Sequence, residues 1–374
     1  MKLSTLARRI SKLVYLIKRT SFRGLTDKET GTVVWIKECS PRFFSSDVAV
    51  WSMGIIDALS RQGVTFNLRF GHSIGKLQGK NVFFAYSRHT DPFGFVNYTQ
   101  SLHYICSQLE QQGCSVFPKS REVLFLENKG FMTQRFFDLN ISTPRTYLIT
   151  NDKDLSRIDL PFPFLVKEEH SFSSYGLHKI HSKSELVDFV QKSKYFENST
   201  YLLAQELLNM RRDLRVIFVG DKVVHHYWRI NTSSEWKPTA TSYGNRVDFL
   251  NFPEQWREFI IDQFMRLGLT TGAFDIAWRN DDLATEPLIL EVSPSFQPNP
   301  AVDVERLKMS YGEYKKTFML RGSYDVKFVD LVFDIVAKQI SLELSRPPVT
   351  CETGSTLNTR AEAVSDLARA VTRL

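Results

Sequence analysis

The sequence predicts a mixed α/β (α+β) protein with several domains, and three observations indicate this class. Apolar strands alternate with helical segments up to about residue 115, two strand–turn–strand hairpins follow residue 208, and the chain of 374 residues is 43% hydrophobic. That length and apolar content suffice for two or three buried cores. The sequence shows neither an internal repeat nor a membrane-spanning stretch.

The first region of the chain has the pattern of a small domain with a parallel sheet. Residues 32–36 and 81–86 are apolar strands, and residues 48–62 and 98–112 show helical spacing. Gly113 follows the second helix as a typical helix stop. Because strands that alternate with helices form parallel sheets, we predict this architecture here.

The next predicted strand, residues 162–167, ends in a lysine at the base of a polar loop. Lys167 is followed by a short run that contains Ser173, Ser174 and Gly176, and an apolar strand resumes after it. A Ser/Gly loop of this kind lays backbone N–H groups over a triphosphate, and the lysine adds an ammonium group. A further buried strand, residues 201–208, ends where the chain can turn past a flat base.

The first hairpin carries three charged residues of interest. Asp213 and Arg215 lie on its outgoing strand, the turn is at Gly220-Asp221, and Arg229 ends the return strand. Each of these residues is equally a candidate for a solvated charge at a strand end. Their order along the chain therefore matters more than any single one.

The second hairpin spans residues 272–300, and each of its strands carries one carboxylate. If its turn is centred on Leu283, Asp275 and Glu291 are cross-strand neighbours with Cβ atoms roughly 5 Å apart. Ser293 follows on the same face. Two carboxylates held that close repel each other unless a cation lies between them, and Mg²⁺ suits such a pair. A pair of solvated edge-strand acids is the alternative interpretation.

Taken in order, these elements resemble the ATP-grasp superfamily, nearest its RimK-type carboxylate–amine ligase branch. The matching order is Lys129, Lys167 before the Ser/Gly loop, the QELL strand, the DLRVIFVGDKVV hairpin with Arg229, and the LEVSPS strand. The resemblance covers roughly residues 116–300, and only the ordered set is specific.

The resemblance implies an ATP-grasp fold with an N-terminal Rossmann-like pre-ATP-grasp domain, and it implies ATP and Mg²⁺, or Mn²⁺ in its place, as cofactors. On the family's pattern Arg215 and Arg229 act on the group that is transferred. The implied nucleotide-binding residues are Lys129, Lys167, Ser173, Ser174, Gly176, Gln205, Glu206, Leu207, Leu208 and Asp213. The implied metal ligands are Asp275, Glu291 and Ser293.

The predicted division of the chain follows from this resemblance and from composition. It consists of a basic amphipathic helix (1–25), a pre-ATP-grasp domain (26–115), two ATP-grasp subdomains (116–208 and 209–345) and a flexible polar tail (346–374). The second subdomain holds the metal and acceptor site. Four aromatic or basic residues after the metal strand either line an acceptor pocket or form a packed helical surface; they are Tyr311, Tyr314, Lys315 and Lys316.

Two positions depart from the family's usual motifs. Ser293 stands where the family has the asparagine of EVNP, and Thr239 stands where an asparagine usually follows the EW(R/K) segment. Serine still offers an oxygen to Mg²⁺ directly or through water. We therefore expect re-tuned metal binding in preference to loss of activity.

The function implied is an ATP-dependent carboxylate–amine ligase that works through an acyl phosphate, with small-molecule or glycan-linked carboxylate and amine substrates. Phosphoryl transfer depends mainly on positioning the reacting groups and neutralising the phosphate charge. Lysines, arginines and a carboxylate-held metal supply both. Two alternatives stay open: a nucleotide-binding relative without catalysis, and an ATP-grasp phosphotransferase. The four cysteines lack metal-site spacing and receive no role.

The net charge of +7 lies entirely in residues 1–23, because these contain seven Lys or Arg and no Asp or Glu. The remaining chain is neutral, so we predict no nucleic-acid partner. The basic helix is suited to an anionic membrane surface, or equally to packing on the body or another subunit. We expect a cytoplasmic protein, with peripheral contact to the inner face of the membrane through this helix; its oligomeric state is left open.

Overall fold

The computed structural model describes residues 31–36, 47–70, 77–86, 90–91, 94–95, 99–171, 174, 176–193, 201–302, 308–315 and 326–346. The predicted basic helix and the tail after residue 346 lie outside this described part. So does Ser173 of the predicted Ser/Gly loop after Lys167, which we call the flap. Within it, no helix is long and apolar enough to cross a membrane.

The first sheet is parallel throughout, as the alternating pattern predicts. Its order is β2-β1-β3-β6, with helices packed on its faces. The strands are β1 (Thr32–Ile36), β2 (Asn67–Phe70), β3 (Asn81–Ala85) and, after a small hairpin of β4 (Thr90–Asp91) and β5 (Gly94–Phe95), β6 (Ser115–Phe117). The helices are α1 (Asp47–Arg61) and α2 (Thr99–Gln111), and Gly113 takes the left-handed conformation after α2 (φ 73°).

Two helices lead from the first sheet to the second. They are α3 (Ser120–Val123) and α4 (Lys129–Asp138). Asn128 caps α4 by accepting a hydrogen bond from the backbone N–H of Phe131 at 3.0 Å. This cap fixes where the helix begins and therefore where the Lys129 side chain leaves the backbone.

The second sheet is antiparallel, in the order β7-β10-β8-β9. Its strands are β7 (Thr146–Ile149), β8 (Phe164–Glu168), β9 (Leu177–Ile180) and β10 (Leu202–Glu206), and α5 (Lys183–Ser193) covers one face. Strand β8 begins two residues later than the sequence pattern indicates. Pro163 lacks a backbone N–H and cannot donate to the ladder, so regular pairing starts after it.

The third sheet is antiparallel, in the order β13-β12-β11-β14-β15. Its strands are β11 (Arg212–Val219), β12 (Lys222–Ile230), β13 (Arg246–Asp248), β14 (Thr271–Ala277) and β15 (Leu288–Ser293), and α6 (Arg257–Arg266) follows β13. Leu214, Val216 and Phe218 pack under α4 and α6, where the Phe218 and Phe264 rings stack at 4.2 Å. Because side chains alternate along a strand, Asp213 and Arg215 point to the opposite face.

The last helix, α7 (Val326–Ser345), packs mainly on α1 of the first sheet. A Cβ atom at Gly54 would overlap the ring of Phe333, so the missing side chain lets the two helices approach closely. The same hydrophobic core contains Ile217 and Ala273 of the third sheet. The helix thus joins the first and third sheets in one core, and the predicted domain boundaries stay a prediction.

Candidate active site

A cleft of about 470 Å³ lies between the second and third sheets. Every described residue that the sequence singled out as a site residue lines it. These residues are Lys129, Lys167, Ser174, Gly176, Gln205, Glu206, Leu207, Leu208, Asp213, Arg215, Arg229, Asp275, Glu291 and Ser293. The structure therefore brings them together, while the role of each stays a prediction.

One face of the third sheet presents a row of four polar side chains to this cleft. Tyr227, Arg215, Asp275 and Glu291 are direct neighbours on β12, β11, β14 and β15. The predicted cross-strand pairing of Asp275 with Glu291 is thus confirmed. A β-bulge lies next to this pair: Leu290 of β15 is the extra residue opposite the step from Asp275 to Ile276, and it bends β15 at this point.

The cations beside Asp275 are two arginines. Its carboxylate lies 2.9 Å from Arg229 Nη2 and 3.2 Å from Arg215 Nε. Burial alone would raise the pKa of Asp275, yet the two guanidinium groups outweigh it and hold this pKa below its ordinary value. The expectation that the pair needs a metal ion to relieve repulsion is therefore incomplete, because the protein supplies these charges itself.

Asp213 anchors Arg229 from the other side. It accepts two hydrogen bonds from Arg229, from Nε at 2.8 Å and from Nη2 at 2.5 Å, and a third from Thr239 Oγ1 at 2.7 Å. Thr239, which departs from the family's asparagine, thus belongs to this buried charge cluster. Bidentate pairing fixes the plane of the guanidinium, so Arg229 is held rigidly under the cleft.

Two lysines approach the row from the second sheet and α4. Lys129 Nζ donates a hydrogen bond to the carbonyl of Ser171 at 2.5 Å and lies 3.9 Å from Glu291 Oε1. Burial of the Lys167 ammonium lowers its pKa to about 8, and the positive charge of Lys129 adds to this effect while Glu291 opposes it. Two ammonium groups beside one carboxylate leave an excess of positive charge, which suits a polyphosphate.

The predicted flap connects β8 to β9. Its backbone closes through a hydrogen bond from Glu168 N to Gly176 O at 2.8 Å. Gly176 has φ +68°, and a Cβ atom there would lie 2.9 Å from the Cβ atom of Glu168, so only glycine fits without strain. Ser174 also takes a left-handed conformation with φ 65°.

The exit of β10 is held by a set of contacts that sequence reasoning missed. Both oxygens of Glu206 accept hydrogen bonds from Arg279, at 2.8 and 2.5 Å, and the backbone N–H of Arg145 donates to Glu206 Oε1 at 2.7 Å. The backbone N–H of Asn280 donates to the carbonyl of Asn209 at 2.8 Å. We call this set the hinge clamp: residues 206–212 bound by the turn of residues 279–281. No spacing in the sequence links these segments.

The apolar residues that follow Glu206 form one wall of the cleft. Leu208 packs with Ala277 and Leu288, next to Met210 and Leu290. A flat apolar wall of this kind suits an aromatic base, and Glu206 itself is occupied by Arg279. Leu208, one of the predicted nucleotide-binding residues, thus forms part of this wall.

Several further cleft residues also escaped the sequence analysis. Tyr227, Trp236, Lys237 and Asn299 line the end of the cleft over β12. Lys179 Nζ of β9 lies 5.6 Å from the centre of the Trp236 ring, so this contact spans the two sheets. Trp236 and Lys237 belong to the EW(R/K) segment, which was noted without a role in the site, and Tyr227 and Asn299 form no motif.

The donor set around Asp275 and Glu291 suits a metal ion. No group of three or more His, Cys, Asp or Glu side chains in the described residues is arranged to hold a metal ion. Asp275 and Glu291 are nevertheless two adjacent carboxylates; Asp275 Oδ1 is buried without a hydrogen bond, and the Glu291 side chain is 33% exposed. One or two carboxylates plus phosphate oxygens and waters form a common Mg²⁺ environment, so the residues fit the ion.

Comparisons with known proteins agree with this geometry. Residues 118–303 match the family model of the RimK-like ATP-grasp domain. The alpha-aminoadipate–LysW ligase LysX of Saccharolobus solfataricus is 25% identical over 207 residues, covering 52% of this chain and 74% of that protein.

Two solved structures show the same fold. The RimK domain ATP-grasp protein from Sphaerobacter thermophilus aligns with a TM-score of 0.52 and 12% identity, covering 82% of this chain and 98% of that one. The ATP-grasp ligase PsnB, solved with minimal precursor, Mg and ADP, aligns with a TM-score of 0.50 and 14% identity, covering 84% and 99%.

The fold and the cleft define an ATP-grasp protein. Within that class, the chain belongs to the RimK-like ATP-grasp family. The predicted fold class and the family resemblance are therefore confirmed. At the level of the family, the relationship supports ATP-dependent ligation of carboxylates to amines.

Proposed function

We propose that this protein is an ATP- and Mg²⁺-dependent ligase that activates a carboxylate as an acyl phosphate and passes the acyl group to an amine. The observation that carries the proposal is the row of Arg215, Asp275 and Glu291 facing Lys129 and Lys167 across one cleft. The row offers carboxylates for a metal ion and cations for phosphate and carboxylate groups in a single site.

The chemistry follows from these charges. A carboxylate oxygen of the acid attacks the γ-phosphorus of ATP and ADP leaves; the amine nitrogen then attacks the acyl carbon, phosphate leaves, and the nitrogen loses a proton. Lys129 and Lys167 neutralise phosphate charge, while Arg215 and Arg229 lie where the acid and the transferred group would meet. Mg²⁺, held by Asp275 and Glu291 with Ser293 beside them, would shield the phosphate oxygens from each other.

The relatives support the same chemistry. LysX is named as a ligase that joins alpha-aminoadipate to LysW, and PsnB is a ligase solved with its precursor, Mg and ADP. By analogy, the substrates here are a carboxylate and an amine carried on a small molecule, a glycan or a peptide. A screen of acid and amine pairs, read by the mass of the product, would identify the two substrates.

The proposal is tested by ADP release in three mixtures: ATP with the acid, ATP with the amine, and ATP with both. A ligase releases ADP at its full rate only with both substrates. A phosphotransferase releases it with one substrate alone, and a relative without catalysis releases none in any mixture. Either of the last two results would contradict the proposed function.

We further propose that residues 1–23 bring the protein to anionic lipid at the inner face of the membrane. Seven basic side chains without an acidic one support this, at about 1 kcal/mol each near a charged surface. Full-length protein should sediment with anionic vesicles at low salt, and a chain that starts at Thr26 should not. Equal sedimentation of both proteins would contradict the contact.

A further inference from the structure

Tyr227 occupies an unusual position at the floor of the cleft. It is only 2% exposed, yet it lines the cleft and is the direct cross-strand neighbour of Arg215. Its hydroxyl oxygen accepts a hydrogen bond from Asn299 Nδ2 at 2.7 Å. Among the described residues, no acceptor is found for the hydroxyl proton.

The backbone of Asn299 is itself held in place. His225 Nε2 donates to the backbone carbonyl of Asn299 at 2.8 Å, and burial lowers the pKa of His225 to about 4. Since the amide of Asn299 is a donor, the Tyr227 oxygen acts as the acceptor and its proton is directed elsewhere. A buried hydroxyl with an unused proton is costly unless a ligand accepts it.

Arg215, beside Tyr227, also has hydrogen-bond donors without an acceptor among the described residues. Its Nε lies 3.2 Å from Asp275 Oδ1 without forming a hydrogen bond, and its terminal nitrogens donate to no described residue. Arg229, by contrast, spends Nε and Nη2 on Asp213 and Asp275. The donors that remain for a ligand in this row are therefore those of Arg215 and Tyr227.

We propose that Tyr227 is a substrate-binding residue whose hydroxyl, together with the Arg215 guanidinium, donates hydrogen bonds to the carboxylate of the acid substrate. This inference rests on the proposed function and adds the residue that recognises the acid. A carboxylate can accept hydrogen bonds from the Tyr227 hydroxyl and the Arg215 guanidinium together. Its negative charge would balance the positive charge of Arg215 on the side that faces the cleft.

The position in the sheet separates this ligand from the nucleotide. Tyr227 and Glu291 are three strands apart in the same row, which is about 14 Å at ordinary strand spacing. Lys129 lies on the Glu291 side. The phosphates therefore belong to the Glu291 end of the row and the acid carboxylate to the end of Arg215 and Tyr227, so the two groups meet where Arg215 and Asp275 are neighbours.

The wall around Tyr227 indicates the rest of the acid. Phe296, which belongs to the same hydrophobic core as Tyr227, lines the cleft together with Trp236, Lys237 and Lys315. An acid with an apolar or ring-shaped body and a second anionic group suits this wall better than a small neutral acid. Acylated acidic amino acids are members of this class, and uronic acids share the ring-shaped body but carry a single carboxylate.

The test compares Tyr227→Phe with a matched control, Tyr311→Phe. Tyr311 is also buried, and its hydroxyl donates to the carbonyl of Pro300 at 2.9 Å. It does not line the cleft. Each change removes one buried hydroxyl, so a purely structural effect should appear in both proteins.

Acid binding is measured first by thermal shift with Mg²⁺ and a non-hydrolysable ATP analogue, using D-glucuronate, D-galacturonate, N-acetyl-L-glutamate and succinate. Wild type and Tyr311→Phe should bind the preferred acid alike, and Tyr227→Phe should bind it about tenfold or more weakly, because a hydrogen bond to a charged group is lost. Affinity for the ATP analogue should be equal in all three.

Turnover with the same acid and hydroxylamine as the amine gives the second readout. Tyr227→Phe should raise KM for the acid while KM for ATP is unchanged. Equal acid affinity in Tyr227→Phe and Tyr311→Phe, or no binding of any of the four acids to wild type, would overturn the assignment. Acid binding that depends on Tyr227 without ADP release on adding hydroxylamine would uphold it and contradict the ligase function instead.

Discussion

At the scale of single residues, Asp275 and Glu291 differ in a way that the sequence does not show. Both lie on one hairpin in register, but Asp275 forms ion pairs with two buried guanidinium groups, whereas Glu291 forms one with Lys129 at 3.9 Å among the described residues. Asp275 therefore holds Arg215 and Arg229 in place, in addition to its proposed part in binding a metal ion. Glu291 does not hold these two arginines in place.

Replacing each carboxylate separates these two contributions. Glu291→Gln should lower turnover at least about a hundredfold, because metal binding is lost, and leave the free energy of unfolding within about 0.5 kcal/mol of wild type. Asp275→Asn should also lower turnover and, in addition, reduce the free energy of unfolding by about 3 kcal/mol, since it leaves guanidinium charge unpaired. Urea unfolding measures the difference; equal stability of the two variants would contradict this division.

Lys167 gives the site a dependence on pH. Its pKa of about 8 lies below the ordinary lysine value because the ammonium is buried. In the free protein the folded state thus binds fewer protons than the unfolded state between about pH 8 and 10.5, and this group's contribution to stability rises with pH across that window. ATP phosphates restore the charged form, so ATP binding should take up a proton and weaken above pH 8.

Calorimetry of Mg²⁺-ATP binding at pH 8.5, in two buffers with different ionisation enthalpies, detects this proton. Wild type and Lys222→Met, which changes an exposed lysine, should show the same uptake. Lys167→Met should show less uptake and weaker ATP binding. Identical uptake in all three proteins would mean that Lys167 does not contact the nucleotide.

At the scale of elements, the hinge clamp connects the apolar wall at Leu208 to the hairpin of β14 and β15. The turn of residues 279–281 includes Asn280 and Asp281 at φ 56° and 54°, and Asp281 accepts from the backbone N–H of Arg211 at 2.9 Å. Non-glycine residues with positive φ persist where surrounding contacts determine them. The clamp therefore sets the position of Leu207 and Leu208 relative to Asp275.

Arg279→Ala should loosen the position of Leu207 and Leu208 relative to Asp275, while the sheets stay folded. Glu206 would lose its two hydrogen bonds to Arg279, and we expect KM for ATP to rise about tenfold with a smaller change in kcat. Arg279→Lys should restore part of the loss through a single ion pair. Arg266→Ala, which removes an exposed ion pair with Asp262, is the control. Equal kinetics in Arg279→Ala and the control would contradict a positioning role.

The sequence predicted the helices and strands better than the contacts between residues that are distant along the chain. The parallel first sheet, the hairpin turn at Gly220-Asp221 and the register of Asp275 with Glu291 follow from alternation and turn chemistry, which are local. The Arg279–Glu206 pair and the Tyr227–Asn299 hydrogen bond join residues 73 and 72 positions apart. No local pattern specifies such contacts, so only the folded chain shows them.

At the scale of the whole molecule, one core joins parts that the sequence treats as separate domains. Helix α7 packs on α1, and their core reaches Ile217 and Ala273, which lie two positions from Arg215 and Asp275 on the same face of the third sheet. Glu122 of α3 extends this connection, because it accepts hydrogen bonds from the N–H and hydroxyl of Thr270 at 2.9 and 2.6 Å. The first and third sheets are thus fixed to each other, which places the Tyr227 end of the cleft against the first sheet.

The central claim is that the acid is activated by phosphorylation in this cleft, and an isotope measurement tests it most directly. The acid is labelled with ¹⁸O in both carboxylate oxygens and incubated with ATP, Mg²⁺ and the amine, and the released phosphate is examined by mass spectrometry. An acyl phosphate predicts one ¹⁸O atom in each phosphate and one in each amide product, with both signals lost in Glu291→Gln. Unlabelled phosphate from active wild-type protein would contradict the account.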